Sequence, residues 1–140
     1  MKNKIFIIIS LLFLSIISSG CNNDMKAYYH DESNYVIATG TISHISNNEE
    51  IGAIYFEFMD LTPVFDDTCF KIVGDNYRYV IDEGIMASVQ IGQEVEFCTS
   101  PKYFGDGYVM PIVSFSVGED VLLEYEVGMS NFLSWLDKER

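Results

Sequence analysis

Apolar and polar residues alternate in short runs along most of the chain after position 35, and turn residues separate these runs. A period of two is that of a β-strand with one buried face. The clearest run spans residues 53–61, where Ile54, Phe56 and Phe58 alternate with Tyr55, Glu57 and Met59. Further strands are predicted at residues 35–45, 68–73, 94–99, 109–117 and 121–127.

Two segments have the spacing of helices instead. Tyr77, Val80 and Ile81 recur at three or four positions, which predicts a short helix after the third strand, with Asp75 or Asn76 as its cap. A strand over 77–81 is the alternative. Near the end of the chain Phe132, Trp135 and Leu136 would line one side of a last helix that Ser130 or Asn131 caps.

Three strands, a short helix and two strands joined by a hairpin are the element order of the OB-fold. Gly40 in the middle of the first strand adds to the likeness, since a glycine there indicates a bulge or bend. Residues 35–117 therefore resemble that fold in pattern. The resemblance implies a mainly β protein with short helices: a small OB-like barrel of five or six strands plus a C-terminal helix. A β-sandwich and an open α+β sheet are the alternatives.

The N-terminus has the features of a targeting segment. Lys2 and Lys4 precede an apolar run over residues 5–17, and three small residues, 18–20, stand directly before Cys21. The run is too short to span a bilayer core of roughly 30 Å. The segment resembles bacterial lipoprotein precursors, which implies that residues 1–20 are removed as a signal peptide and that Cys21 is lipidated. An ordinary secretory signal and an uncleaved anchor are the alternatives.

Composition indicates where the rest of the chain works. Residues 21–34 are polar and predict a tether, followed by a single domain over 35–140. Without Lys2 and Lys4 the chain has 6 basic and 21 acidic side chains, a charge of −15. Such a charge repels phosphate backbones and anionic headgroups, so we expect no nucleic-acid partner and membrane attachment through the lipid alone. The expected location is the extracytoplasmic face of the bacterial membrane.

No catalytic motif is present: the chain has no G-x-S-x-G, no H-E-x-x-H and no P-loop sequence. His44 is the single histidine of the predicted domain, and the paired carboxylates lack the spacing of a calcium loop. We therefore expect no enzyme activity, cofactor or metal. Cys69 and Cys98 would form either a disulfide, which an oxidising compartment permits, or two free thiols that pack as small apolar residues.

The candidate recognition surface follows from the OB-like resemblance, because OB-folds bind ligands on strands two and three and on the flanking loops. Those loops would be residues 47–50 and 102–108. The candidate ligand-binding residues are Tyr55, Glu57, Tyr103, Phe104 and Tyr108. The last three are equally suited to plugging the barrel end.

Aromatic rings beside acids and amides suit a glycan, a peptide or a protein of the cell envelope. The sequence predicts a lipid-anchored, non-enzymatic binding or interaction module. The alternatives are a small cell-wall hydrolase that uses paired carboxylates and a structural accessory subunit of an envelope complex.

Overall fold

A six-stranded antiparallel sheet forms the framework of residues 24–102 and 110–139, which the computed structural model describes. The strands follow the order β3-β2-β1-β4-β5-β6. Their bounds are β1 Val36–Asn48, β2 Ala53–Thr62, β3 Cys69–Val73, β4 Glu94–Thr99, β5 Ile112–Val117 and β6 Asp120–Leu123. The helices are α1 (residues 24–30), α2 Gly74–Asp82 and α3 Tyr125–Lys138, with 3₁₀ turns at Glu32–Asn34 and Ile85–Ser88. The predicted mainly β class with a C-terminal helix is confirmed.

The long strand β1 connects the two halves of the sheet. Its first half pairs with β4 and its second half with β2. The change of partner occurs around Gly40, where the register with β2 shifts between Thr39 and Thr41. A Cβ at Gly40 would lie 3.0 Å from the Leu61 side chain, so the glycine also lets β1 and β2 approach closely. The bulge predicted at Gly40 is confirmed.

Among the described residues, one isolated bridge connects β3 to the segment that leads into β5. Lys71 N in β3 donates to Met110 O at 3.1 Å, and Lys71 and Pro111 form one parallel bridge. Pro111 has no N–H and cannot extend the ladder. The predicted barrel is therefore only loosely formed, because no continuous ladder joins β3 to β5 in the described part of the chain.

The main core lies on the inner face of the sheet and is rich in phenylalanine. Phe58 and Phe97 stack with ring centroids 4.5 Å apart, and Phe70 meets Phe97 edge-on at 5.0 Å. Helix α2 and the turn after it contribute Val80 and Val89 to this core. The helix predicted after the third strand is thus confirmed, although it begins at Gly74, so its predicted caps lie inside the first turn.

A second, smaller cluster lies on the outside of β4 and β5, under α1 and α3. It contains Met25, Tyr29, Cys98, Val113, Met129, Phe132 and Leu136. Residues 24–30 differ from the predicted tether because Met25 and Tyr29, one helical turn apart, are buried there. Helix α3 begins at Tyr125, earlier than predicted, and β6 correspondingly ends at Leu123. None of the helices in the described ranges combines the length and apolar content needed to cross a bilayer.

Candidate functional site

Tyr55 occupies the centre of a row of side chains on the outer face of the sheet. It lies opposite Ser46 of β1 and Lys71 of β3. The Lys71 Nζ stands 4.8 Å from the centroid of the Tyr55 ring, a cation–π distance. Partial burial lowers the pKa of Lys71, and the neighbouring Cys69 opposes that shift. The cation–π contact favours a position of the Tyr55 ring beside Lys71.

Glu57 lies at the centre of the adjacent row. Its neighbours are His44 on β1 and Cys69 on β3. Glu57 and His44 are exposed, whereas Cys69 is half-buried. Burial raises the pKa of the Cys69 thiol, with further contributions from Asp67 and Glu57. The thiol is therefore neutral near pH 7 and is not an activated nucleophile.

The arrangement of this second row also argues against a cysteine–histidine catalytic pair. Glu57 stands between Cys69 and His44, which are two strand spacings apart, or ~9.6 Å. A histidine base must be within hydrogen-bond reach of its nucleophile, at roughly 3 Å. Cys69 and His44 therefore do not form such a pair.

We call the surface formed by Tyr55, Glu57, Met59, His44 and Lys71 the β1–β3 face. Met59 continues the outward line of Tyr55 and Glu57 along β2 and is 49% exposed. The structure thus brings together two of the predicted ligand-binding residues. The proximity of His44 and Lys71 to them depends on the register of β2 with its neighbours, and sequence alternation alone does not give that register.

The other three predicted ligand-binding residues are Tyr103, Phe104 and Tyr108, which lie outside the described residues. Their role stays a prediction. The predicted loop 47–50 is described, and its Glu49 and Glu50 line a cleft of about 290 Å³ together with Tyr77 and Arg78 of α2. Both signs of charge therefore border this cleft.

A second cleft is also lined by two adjacent carboxylates. Asp66 and Asp67 line a cleft of about 460 Å³ that Tyr28, Pro101, Lys102 and Met110 complete. Asp67 Oδ1 accepts the backbone N–H groups of Thr68 at 2.7 Å and Cys69 at 3.0 Å. This carboxylate therefore stabilises the start of β3. Within residues 24–102 and 110–139, no three acidic, histidine or cysteine side chains are grouped as metal ligands would be.

Of the two alternatives for the cysteines, the structure has the free thiols, since Cys69 and Cys98 are not bridged. Cys69 pairs with Glu57 of β2, whereas Cys98 lies between Ile37 of β1 and Ser114 of β5. Strands β3 and β4 are not neighbours in the sheet, so the two thiols never lie opposite each other. Cys98 packs as a small apolar residue in the second cluster.

No protein family, curated protein or solved structure matches this chain.

Proposed function

We propose that this protein is a lipid-anchored envelope protein that binds a glycan or peptide on its β1–β3 face, without catalysing a reaction. The observation that carries the proposal is the pair of solvent-accessible rows around the half-buried Tyr55 and the exposed Glu57. An aromatic ring, a carboxylate, an imidazole and an ammonium group are presented there on three hydrogen-bonded strands. Sites built on strands hold side chains more precisely than sites on loops.

The chemistry of this face suits a polar, uncharged or mixed-charge ligand. Glu57 accepts hydrogen bonds, Lys71 donates them, and His44 does either. The Tyr55 ring offers an apolar surface that is already oriented by Lys71, which lowers the entropy cost of binding. A sugar ring or a peptide side chain packed on Tyr55 would have a hydrogen-bond donor, Lys71, on the neighbouring strand and an acceptor, Glu57, in the adjacent row.

The attachment to the membrane rests on the sequence. Cys21 follows the apolar segment directly, and the small residues before it resemble a lipobox. A lipid at Cys21 would hold the folded domain at the extracytoplasmic surface, where envelope glycans and peptides are available. The hydrolase and the structural accessory subunit remain alternatives; the use of Asp67 as a backbone acceptor favours neither of them.

Titration followed by NMR tests the binding face with two probes, an N-acetylglucosamine oligosaccharide and a short peptide of mixed charge. We expect one of them to shift the amide signals of Tyr55, Glu57 and Lys71. Tyr55→Ala and Glu57→Gln should weaken binding. Glu83→Gln, which removes the same charge from an exposed position after α2, should not.

Thermal unfolding of each variant separates lost binding from lost structure. Tyr55 is only half-buried, so its truncation should leave the fold intact. If neither probe shifts these signals, or if Glu83→Gln weakens binding as much as Glu57→Gln, the β1–β3 face is not the binding site.

A further inference from the structure

A separate cleft of about 310 Å³ opens on the outer side of β1, β4 and β5. Its floor is one row of the sheet, in which Cys98 lies between Ile37 and Ser114. Ile37 is 65% exposed although it is a large apolar residue. Ile37 thus gives the floor an accessible apolar surface, beside the buried Cys98 and the hydroxyl group of Ser114. This row lies on different strands from most of the β1–β3 face.

The walls of the cleft are two tyrosines and one carboxylate: Tyr35 directly before β1, Tyr125 at the start of α3, and Glu32 in the 3₁₀ turn. Tyr35 Oη donates to Tyr29 O at 2.8 Å, which fixes that ring at the wall. Burial and then the nearby Glu32 carboxylate raise the pKa of Tyr125, so Glu32 and Tyr125 are close enough to interact.

The residues that line the cleft include one acidic side chain and no basic side chain. Burial raises the pKa of the Cys98 thiol to about 11, so this group is neutral near pH 7. Glu32 is the single ionised group among the six lining residues, and none of the six is basic. An anionic ligand would be repelled by Glu32 with no basic side chain in the lining to offset it, and the formal charge of −13 adds to this repulsion.

We propose that this cleft binds a small organic cation, namely a protonated amine carried on an aromatic or short aliphatic body. The ammonium would pair with Glu32 and contact the faces of Tyr35 and Tyr125, as cations do in aromatic cages. The apolar body would rest on Ile37 and Cys98. The volume is at the lower end of the range for small-molecule pockets, which is suitable for a ligand of this size. This site does not depend on the function proposed for the β1–β3 face.

The test compares three probes of similar shape and different charge: phenethylammonium, 2-phenylethanol and phenylacetate. NMR titration at low salt should show phenethylammonium shifting the amide signals of Ile37, Cys98 and Ser114. We expect the neutral alcohol to bind roughly two- to fivefold more weakly, the range for an exposed ion pair, and the anion more weakly still. Equal affinity for the alcohol, or no shift of these three signals by the amine, would overturn the proposal.

Variants test separately the contributions of the Glu32 carboxylate and the Tyr125 ring to binding. Glu32→Gln should reduce the affinity for phenethylammonium to that for the alcohol, while Glu83→Gln, which removes an equal charge elsewhere, should leave it unchanged. Tyr125→Phe keeps the ring and should bind normally, whereas Tyr125→Leu should bind more weakly. Thermal unfolding checks that each variant is folded. If Glu83→Gln has the same effect as Glu32→Gln, the amine responds to net charge alone, which contradicts a built site.

Discussion

The side-chain amide of Asn76 in α2 donates to the backbone carbonyl of Gly128 in α3 at a distance of 2.8 Å. Both residues are buried, and the bond connects the two helices through residues that are 52 positions apart in the sequence. In the same turn of α2, Gly74 lies against the Trp135 ring and Asp75 pairs with Lys138 at 3.3 Å. The first turn of α2 is therefore the docking site of α3.

Asn76→Asp should destabilise the protein because it replaces the donor with a charged acceptor of the same shape. A buried carboxylate would face the Gly128 carbonyl, and no new partner is provided. We expect a loss of about 2 kcal/mol or more in the free energy of unfolding, measured by urea denaturation. Asn47→Asp makes the same chemical change on the exposed end of β1 and should stay within about 0.5 kcal/mol. Equal effects of both variants would show that the Asn76 bond is unimportant.

Gly128→Ala should be destabilising although alanine favours helices over glycine by about 1 kcal/mol. A Cβ at this position would overlap the backbone oxygen of Val113, so α3 would have to move off the sheet. We expect the clash to exceed the gain in propensity and lower the midpoint of thermal unfolding by several degrees. Ser130→Ala, at an exposed position in α3, should leave the midpoint unchanged or raise it slightly. Stabilisation by Gly128→Ala would contradict this packing.

The sequence predicted the sheet better than the helices that cover it, and the reason is physical. Alternation over residues 53–61 identifies a strand with Tyr55 and Glu57 on the outside, because a strand needs only one buried face. Helix α3 was predicted to start several residues too late, since Tyr125 and Val127 favour strands and Gly128 disfavours a helix. Close packing of Gly128 on Val113 overrides those local preferences.

The candidate site was also predicted only in part. The sequence predicted that Tyr55 and Glu57 share a surface, because both lie on one strand. That His44 and Lys71 lie beside them depends on the register between strands, including the bulge between Ile42 and His44. The cleft around Tyr125 could not be predicted, since it joins a turn, three strands and a helix that are distant in sequence.

Cys98 should make the protein less stable as the solution becomes alkaline. Its folded-state pKa, about 11, lies above the ordinary thiol value of 9.0, so the folded state holds the proton more tightly. The protonated Cys98 thiol makes its full contribution to the free energy of unfolding below about pH 9, and this contribution is lost as the pH rises toward 11. Urea denaturation across this window should show a falling free energy of unfolding.

Cys98→Val is the matched control, because it keeps an apolar side chain at the same buried position. Buried tyrosines also titrate at high pH, so the informative quantity is the difference between the two proteins. We expect the variant to lose less stability than the natural sequence over this range. Parallel curves would show that the Cys98 thiol does not contribute.

Cys21→Ala in the full-length chain should release the protein from bacterial membranes or leave it unprocessed. Lipid attachment requires the cysteine. The rest of the chain has 6 basic and 21 acidic side chains, a balance that does not favour electrostatic binding to anionic lipids in place of the anchor. Cell fractionation and intact mass measure location and processing together. Cys69→Ala should remain membrane-bound and lipidated. A Cys21→Ala protein that stays in the membrane with its signal segment removed would reject lipid anchoring at this residue.

The domain should not bind single-stranded nucleic acid, although OB-like sheets often do. Such binding combines stacking aromatic residues with a basic groove that follows the phosphates. On the β1–β3 face the Tyr55 ring is available for stacking on a base. However, Lys71 alone does not make a basic groove, and the Glu57 carboxylate in the adjacent row repels phosphates. We expect no change in the fluorescence anisotropy of a labelled oligonucleotide at micromolar protein and physiological salt. Glu57→Lys reverses the charge beside Tyr55 and should increase any residual binding, because it replaces repulsion of the phosphates with attraction. Binding by the natural sequence that weakens as salt is added would contradict both this prediction and the electrostatic argument behind it.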